Sequence, residues 1–307
     1  MTGNLLIDMD CFRWEDLDID LTEAIENMFQ AHDLARSYGD NIFGHPKLWD
    51  IELSWGYFHE IFSWDESERI EKTPWLGDIT LSVLTQIFSY STTDCGCENL
   101  ADMDIEFEGE FNGLLGCSAT TNLDSYIKND ASWYKWHRQY FINNPTDRIS
   151  FVDNLSPFFP NLYFNKNSVT TGLNGLHTSH KEIMQTILHH LSALNDVFFP
   201  KFQAEPHLGG DGVCDYLEDF YRPNEIQIRA SRDRNDCIDI TFDFKDESTS
   251  ETKRLYCDLH TKFRDYFELP IPNFEAKGNR VYFHQPIDGF LDGKLLIGRI
   301  GKHATCG

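Results

Sequence analysis

The chain has 307 residues, enough for about two domains, and its 50 Asp plus Glu against 26 Lys plus Arg give a net charge of −24 and a pI near 4.7. Such a balance excludes nucleic-acid binding over the whole surface, while 41% hydrophobic and 14% aromatic residues exclude a disordered acidic chain. Met1 to Phe12 has no basic residue ahead of its short apolar stretch, and the longest uncharged run, Ile79 to Thr93, is 15 residues, short of the about 20 that a bilayer span needs, so neither export nor membrane insertion is expected.

Asp20 ahead of Leu21-Thr22-Glu23 is a capping-box pattern, and Leu21, Ile25, Met28, Phe29 and Leu34 follow at helical spacing to Gly39, predicting a helix over 20–38. Pro46 to Trp64 spaces Leu48, Ile51, Trp55, Phe58, Ile61 and Phe62 three or four apart and predicts a second helix with an aromatic face. A third is predicted over 78–89. Asp102 to Phe111 alternates acidic and apolar residues and predicts a strand with Met103, Ile105 and Phe107 inward. The aromatic-rich stretch Leu123 to Ile142 is predicted helical, 156–175 irregular, and Ser179-His180-Lys181-Glu182 opens a helix carrying Ile183, Ile187, Leu188, Leu191 and Leu194. From about Asn224 the period becomes two: Ile226 and Ile228, then Ile238 to Phe244, then Val281 and Phe283, then Leu295 and Ile297 mark four strands, with Leu255 to Lys262 as a fifth. The expected fold class is α+β: a mainly helical acidic N-terminal domain, 1–205, and a small antiparallel β-sheet C-terminal domain, 220–307, with a basic end.

Charge divides along the same line. Residues 1–110 hold 25 acids and 5 bases, whereas residues 253–307 hold 9 bases and 6 acids. That asymmetry fits segments with different partners, a basic region held against an acidic one, or an acidic surface that keeps the protein soluble.

The C-terminal strands carry Cys257-Asp258-Leu259-His260-Thr261-Lys262, Arg280-Val281-Tyr282-Phe283-His284 and Gly298-Arg299-Ile300-Gly301-Lys302-His303. Alternation places Arg280, Tyr282 and His284 on one face and Val281 and Phe283 on the other. With His260 and Lys262 these form a candidate catalytic set able to cleave RNA without metal, a base deprotonating the 2′-hydroxyl, an acid protonating the leaving oxygen and cations stabilising the phosphorane. Arg299, Lys302 and His303 are the candidate nucleic-acid contacts. The same pattern also describes the polar outer face of a half-buried sheet.

Arg280-Val281-Tyr282-Phe283 followed by Asp292 to Gly298 and a basic end resembles the closing hairpin of RelE-type mRNA-cleaving toxins. The Cys-x-x-His-x-Lys stretch and the Ile-Gly-x-Ile-Gly-x-His ending are similar to those of a group of uncharacterised prokaryotic proteins. The resemblance covers residues 253–307, without the toxins' helical hairpin ahead of the sheet, and implies a toxin-like or phage-defence context.

Other patterns are weaker. Asp243-Phe244-Lys245 offers an Asp-x-Lys, half of a metal-dependent nuclease signature, with Asp219 or Asp233 as its upstream acid. Cys95, Cys97 and Cys117 fall short of a four-ligand zinc spacing, leaving zinc open. His177, His180, His189 and His190 are explained by capping and exposure, and Gly209-Gly210-Asp211-Gly212 reads as a turn. No pattern calls for a cofactor. The expectation is a cytoplasmic, prokaryotic toxin-like or phage-defence-associated protein acting on nucleic acid through its basic C-terminal sheet, ribonuclease-like and metal-independent if it is an enzyme. The alternative is a non-catalytic protein whose acidic N-terminal part binds a basic protein partner.

Overall fold

Leu5, Leu6 and Ile7 are all buried in the computed structural model, because β1 (Asn4–Ile7) is the central strand of a parallel sheet. Contacts divide the chain into two units, Met1–Tyr140 and Phe141–Gly307, so residues 141–205 lie in the second. The structure describes residues 2–13, 21–74, 76–90, 93–117, 123–174, 176, 181–221, 228–232, 240–263 and 278–303. The architecture is α+β, and among the described residues no helix is long and apolar enough to cross a membrane.

In the first unit β1 leads through α1 (Leu21–Tyr38) to β2 (Asn41–Gly44), a right-sized crossover for parallel strands. The hairpin β3 (Glu52–Leu53) and β4 (Gly56–Tyr57), α2 (Glu66–Lys72) and α3 (Asp78–Tyr90) precede β5 (Thr93–Asp94). Then come α4 (Leu100–Glu106), β6 (Asn112–Leu115), β7 (Tyr126–Ile127) and α5 (Asp130–Asn143). The strand order is β5-β2-β1-β6-β7, all parallel. The N-terminal part is therefore helices wound about a short-stranded parallel sheet, and it is that sheet which the sequence reading does not include. Its strands are short, and β1 is an unbroken apolar run because both of its faces are covered.

Three expected elements differ. At 46–64 the chain forms a 3-10 turn at Pro46–Asp50, the β3–β4 hairpin and another 3-10 turn at Phe58–Phe62. There the aromatic spacing builds a ring cluster, with Trp49 5.1 Å from Phe88 and Phe58 5.2 Å from Phe12, rather than a helical face. At 102–111 the expected strand is α4, started by the Asn99 side chain, which accepts from the Asp102 N–H at 3.1 Å. Only Met103 is buried within it, and Ile105 is 79% exposed. The helix expected over 123–142 begins at Asp130, after β7.

Asp40 organises the amino edge of this sheet. It is 8% exposed and accepts from the Gly3 N–H at 2.8 Å, Trp133 Nε1 at 2.9 Å and His137 Nε2 at 3.0 Å. Trp136 lies over Gly3 and Gly113, where any Cβ would fall within 3 Å of its ring, so two glycines admit the indole that seats α5.

The second unit opens with α6 (Phe151–Leu155), β8 (Leu162–Phe164) and α7 (Lys166–Gly172). Then α8 (Lys181–Ala193) runs through a π turn into α9 (Phe199–Ala204), followed by α10 (Gly209–Tyr221). Gly209 to Gly212 thus start a helix rather than a turn. The strands are β9 (Arg229–Arg232), β10 (Thr241–Lys245), β11 (Thr252–Tyr256), β12 (Leu259–Lys262), β13 (Asn279–His284) and β14 (Leu295–Lys302). The main sheet has order β8-β14-β13-β12-β9. It is mixed, not antiparallel, because β8, from the stretch expected to be irregular, pairs parallel with β14. β10 and β11 form a separate hairpin.

Val281, Phe283, Ile297 and Ile300 are fully buried, and α8 packs through His190, whose Nδ1 lies 2.8 Å from Thr261 Oγ1. Burial pushes the His190 pKa down to about 3. His190 is therefore a core residue, against the expectation of exposure. His177, Ser179, His180 and the Asp20 cap lie outside the described residues.

Candidate nucleic-acid interface

Register, which alternation alone does not reveal, assembles the C-terminal residues. His260 stands opposite Ser231 on one side and Tyr282 on the other, and Tyr282 stands opposite Arg299. Paired residues share a sheet face, so Ser231, His260, Tyr282 and Arg299 form one polar row across four strands. Beside it Lys262 stands opposite Arg280, with Arg229 at the register position beyond Lys262. A register shift between Tyr282 and Phe283 leaves Gly298 as the extra residue of β14, and His284 pairs with Leu296.

The two rows differ in access. His260 is 1% and Tyr282 0% exposed, because Tyr282 packs in a cluster with Ile240, Phe244 and Cys257 of the β10–β11 region and with Phe290 and Leu296. His260 Nε2 lies 2.9 Å from Ser231 Oγ and its Nδ1 3.3 Å from the Asp258 carbonyl. Lys262, Arg280, His284 and Arg299 are half-buried, and Lys302 and His303 are exposed at the end of β14. His284 Nδ1 donates to the Gln285 carbonyl at 2.7 Å. Since a carbonyl only accepts, the neutral ring keeps its lone pair on Nε2.

No family model, curated protein or solved structure matches this chain.

Of the remaining sequence candidates, Asp243 and Lys245 lie on β10, where Lys245 pairs with Glu247 at 2.8 Å. Asp233 lies outside the described residues, as does the side chain of Asp219. Among the described residues no group of three His, Cys, Asp or Glu side chains converges as metal ligands. Cys117 Sγ donates instead to the Cys11 carbonyl at 3.3 Å, and Cys95 Sγ to the Cys97 carbonyl at 3.8 Å. Burial and the neighbouring Cys95 push the Cys97 thiol up to about 11.

Sequence reasoning missed the carboxyl edge of the parallel sheet, where open α/β sheets bind ligands. A cavity of about 500 Å³ lies there, lined by Asp10, Arg13, Lys47, Asp50, Glu52 and Glu98 among others. Its cations are paired, Arg13 with Asp10 at 3.4 Å and Lys47 with Glu98 at 2.5 Å. Just after β1, burial raises the Asp8 carboxyl above its usual range, against a hydrogen bond to Tyr126 that lowers it. The signal was available: an apolar run ending in Ile-Asp-Met-Asp is a buried strand delivering carboxylates to its end.

Proposed function

We propose that this is a nucleic-acid-acting protein of the toxin-like or phage-defence type, whose C-terminal sheet holds a phosphate backbone. The observation that carries this reading is the row in which Lys262 faces Arg280, with Arg229 in register beyond. Like charges directly opposite one another destabilise a sheet. In a protein with 50 acids and 26 bases this row gathers basic residues on neighbouring strands, and a polyanion is the ligand that such a row suits. Three adjacent strands at about 4.8 Å spacing span about 10 Å, a short stretch of backbone.

In the cleaving form of this reading His284 is the general base, through Nε2. Arg280 and Lys262, about 13 Å along the strand, hold a neighbouring phosphate, water returns a proton to the leaving 5′-oxygen, and the buried His260 and Tyr282 lie between on the same sheet face. Labelled RNA and DNA incubated with the protein, with Mg²⁺ or EDTA, test it. The Lys262→Glu plus Arg280→Glu variant is expected to lose binding, with the salt slope falling by about 2. His284→Ala is expected to bind but not cleave, and EDTA to leave wild-type cleavage unchanged. Binding untouched by the charge reversal overturns the reading.

A second reading, a basic protein partner docked on the acidic N-terminal part, is favoured by α4. There the 79% exposed Ile105 stands between exposed Asp104 and Glu106, an apolar anchor with an acidic rim. Salt-sensitive capture of a basic protein, lost on neutralising Asp102 to Glu110, is the expected result.

A further inference from the structure

Between α7 and β10, on the flank of β14, lies a groove of about 490 Å³ whose lining includes Asn165, Asn167, Ser168, Thr171, Phe242 and Arg299, with Asp243, opposite Arg254 in the β10–β11 register, as the one carboxylate among the described residues that line it. It is a built feature. Gly172 leaves room for the arginine stem, since a Cβ there would lie 2.7 Å from Arg299 Cγ and 2.6 Å from the Ile300 carbonyl. Gly298 does the same for the aromatic ring, a Cβ there falling 2.4 Å from Phe242 Cδ2. The Asn165 Nδ2 donates to the Asp243 carbonyl at 2.9 Å, and its Oδ1 accepts from the Ser168 N–H at 3.1 Å, so the walls are tied together.

The guanidinium is the unexplained part. Arg299 Nε is buried and finds no acceptor among the described residues, although a buried donor left unsatisfied is costly and most are paired. An acceptor brought by a ligand resolves that cost. The chemistry around it is specific. One planar cation suits an oxyanion, neutral amides and hydroxyls are the usual partners of phosphate and sugar oxygens, an aromatic ring offers a stacking platform for a base, and a carboxylate accepts from ribose hydroxyls.

We propose that this groove is a ribonucleotide site: Arg299 holds the phosphate, Asp243 the ribose hydroxyls, and Phe242 the base. The site differs from the Lys262–Arg280 row and stands without it, because its ligand is a single nucleotide unit. That unit comes either as a free mononucleotide or as one residue of an RNA chain, and the arms of the test separate the two.

Titration calorimetry of the full chain tests the proposal with adenosine 5′-monophosphate, its 2′-deoxy counterpart, inorganic phosphate and a hexamer of adenylate RNA. Adenosine monophosphate is expected to bind at least 10-fold tighter than the deoxy form and than phosphate alone. Arg299→Met, which keeps the apolar stem, is expected to lose 10-fold or more for both ribose probes, and Asp243→Asn to equalise ribose and deoxyribose. Binding of the mononucleotide identifies a free ligand; binding of the hexamer alone, still dependent on Arg299 and Asp243, identifies the RNA chain. Should Arg299→Met fail to fold, the ribose preference and its loss in Asp243→Asn decide alone. No heat from either ribose probe, or heat indifferent to both substitutions, overturns the proposal. The outcome is also separable from that of the cationic row, since the ribose preference and its loss in Asp243→Asn belong to this groove alone.

Discussion

The two sheets dispose of their polar groups in opposite ways. In the first unit the parallel sheet is covered on both faces, so polarity is confined to strand ends: Asp40 with its three donors at the amino edge, ion pairs around an open cavity at the carboxyl edge. In the second unit a polar row crosses the middle of the sheet, Ser231 to Arg299, with its centre under the β10–β11 cover. Crossover helices leave a parallel sheet only its rims for chemistry, whereas antiparallel neighbours can give a whole face to it.

The composition allows this contrast to be tested one unit at a time, because all seven tryptophans precede residue 140, making indole emission a reporter of the first unit. The largest effect is expected from Asp40→Ala. It removes the acceptor shared by His137, the Trp133 indole N–H and the Gly3 N–H, at a cost of about 3 kcal/mol, seen as an earlier urea transition by tryptophan emission. An unchanged midpoint would remove Asp40 from the fold's supports. Next is Gly301→Ala in the second unit, where a Cβ would meet the Gly172 carbonyl oxygen at 2.1 Å. The expected loss is about 2 kcal/mol, read as faster hydrogen exchange of β14 amides with tryptophan emission unmoved.

Acid should weaken both units through one buried histidine in each. Burial lowers His32 from 6.5 to about 4 and His190 from 6.5 to about 3. The folded state refuses a proton that the unfolded chain takes up near pH 6.5, so the stabilisation is whole above that pH and drains as pH falls towards the folded values. At pH 5.5 each histidine is expected to cost about 1.4 kcal/mol, measured as the fall in urea midpoint from pH 7.5; a flat profile would contradict it. The smallest effect is at the exposed Ile105, where Ser should change stability by less than about 0.5 kcal/mol while abolishing capture of a basic partner, if that partner docks on α4.

Helices with a continuous apolar stripe were legible: α1 and α8 lie close to where Ile25, Met28 and Ile187 place them, and α3 occupies the expected 78–89. So were the alternating strands β10, β13 and β14. The parallel sheet was not, because two- and four-residue strands such as Thr93–Asp94 and Asn4–Ile7 carry too few residues to show a period. The 102–111 alternation misled because an Asn99 cap outweighs a two-residue period on an exposed element. For the site, Arg280 and Tyr282 shared a face by sequence spacing alone. Their pairing with Lys262 and Arg299, and the closing of Tyr282 and His260 beneath a hairpin, depend on register and on tertiary contacts that no local pattern encodes.

The central place of β1 has a consequence for biosynthesis. Asn4 bonds through its side chain to Asn112, 108 positions later, so β1 leaves the ribosome long before β6 exists. At 5–20 residues per second the wait is roughly 5 to 20 seconds. Through that interval Leu5, Leu6 and Ile7 have β2 on one flank at most, and the other flank is an open strand edge, a template for any extended chain nearby. Chaperone demand in this protein is therefore set less by how stable the finished fold is than by the order in which its strands are translated.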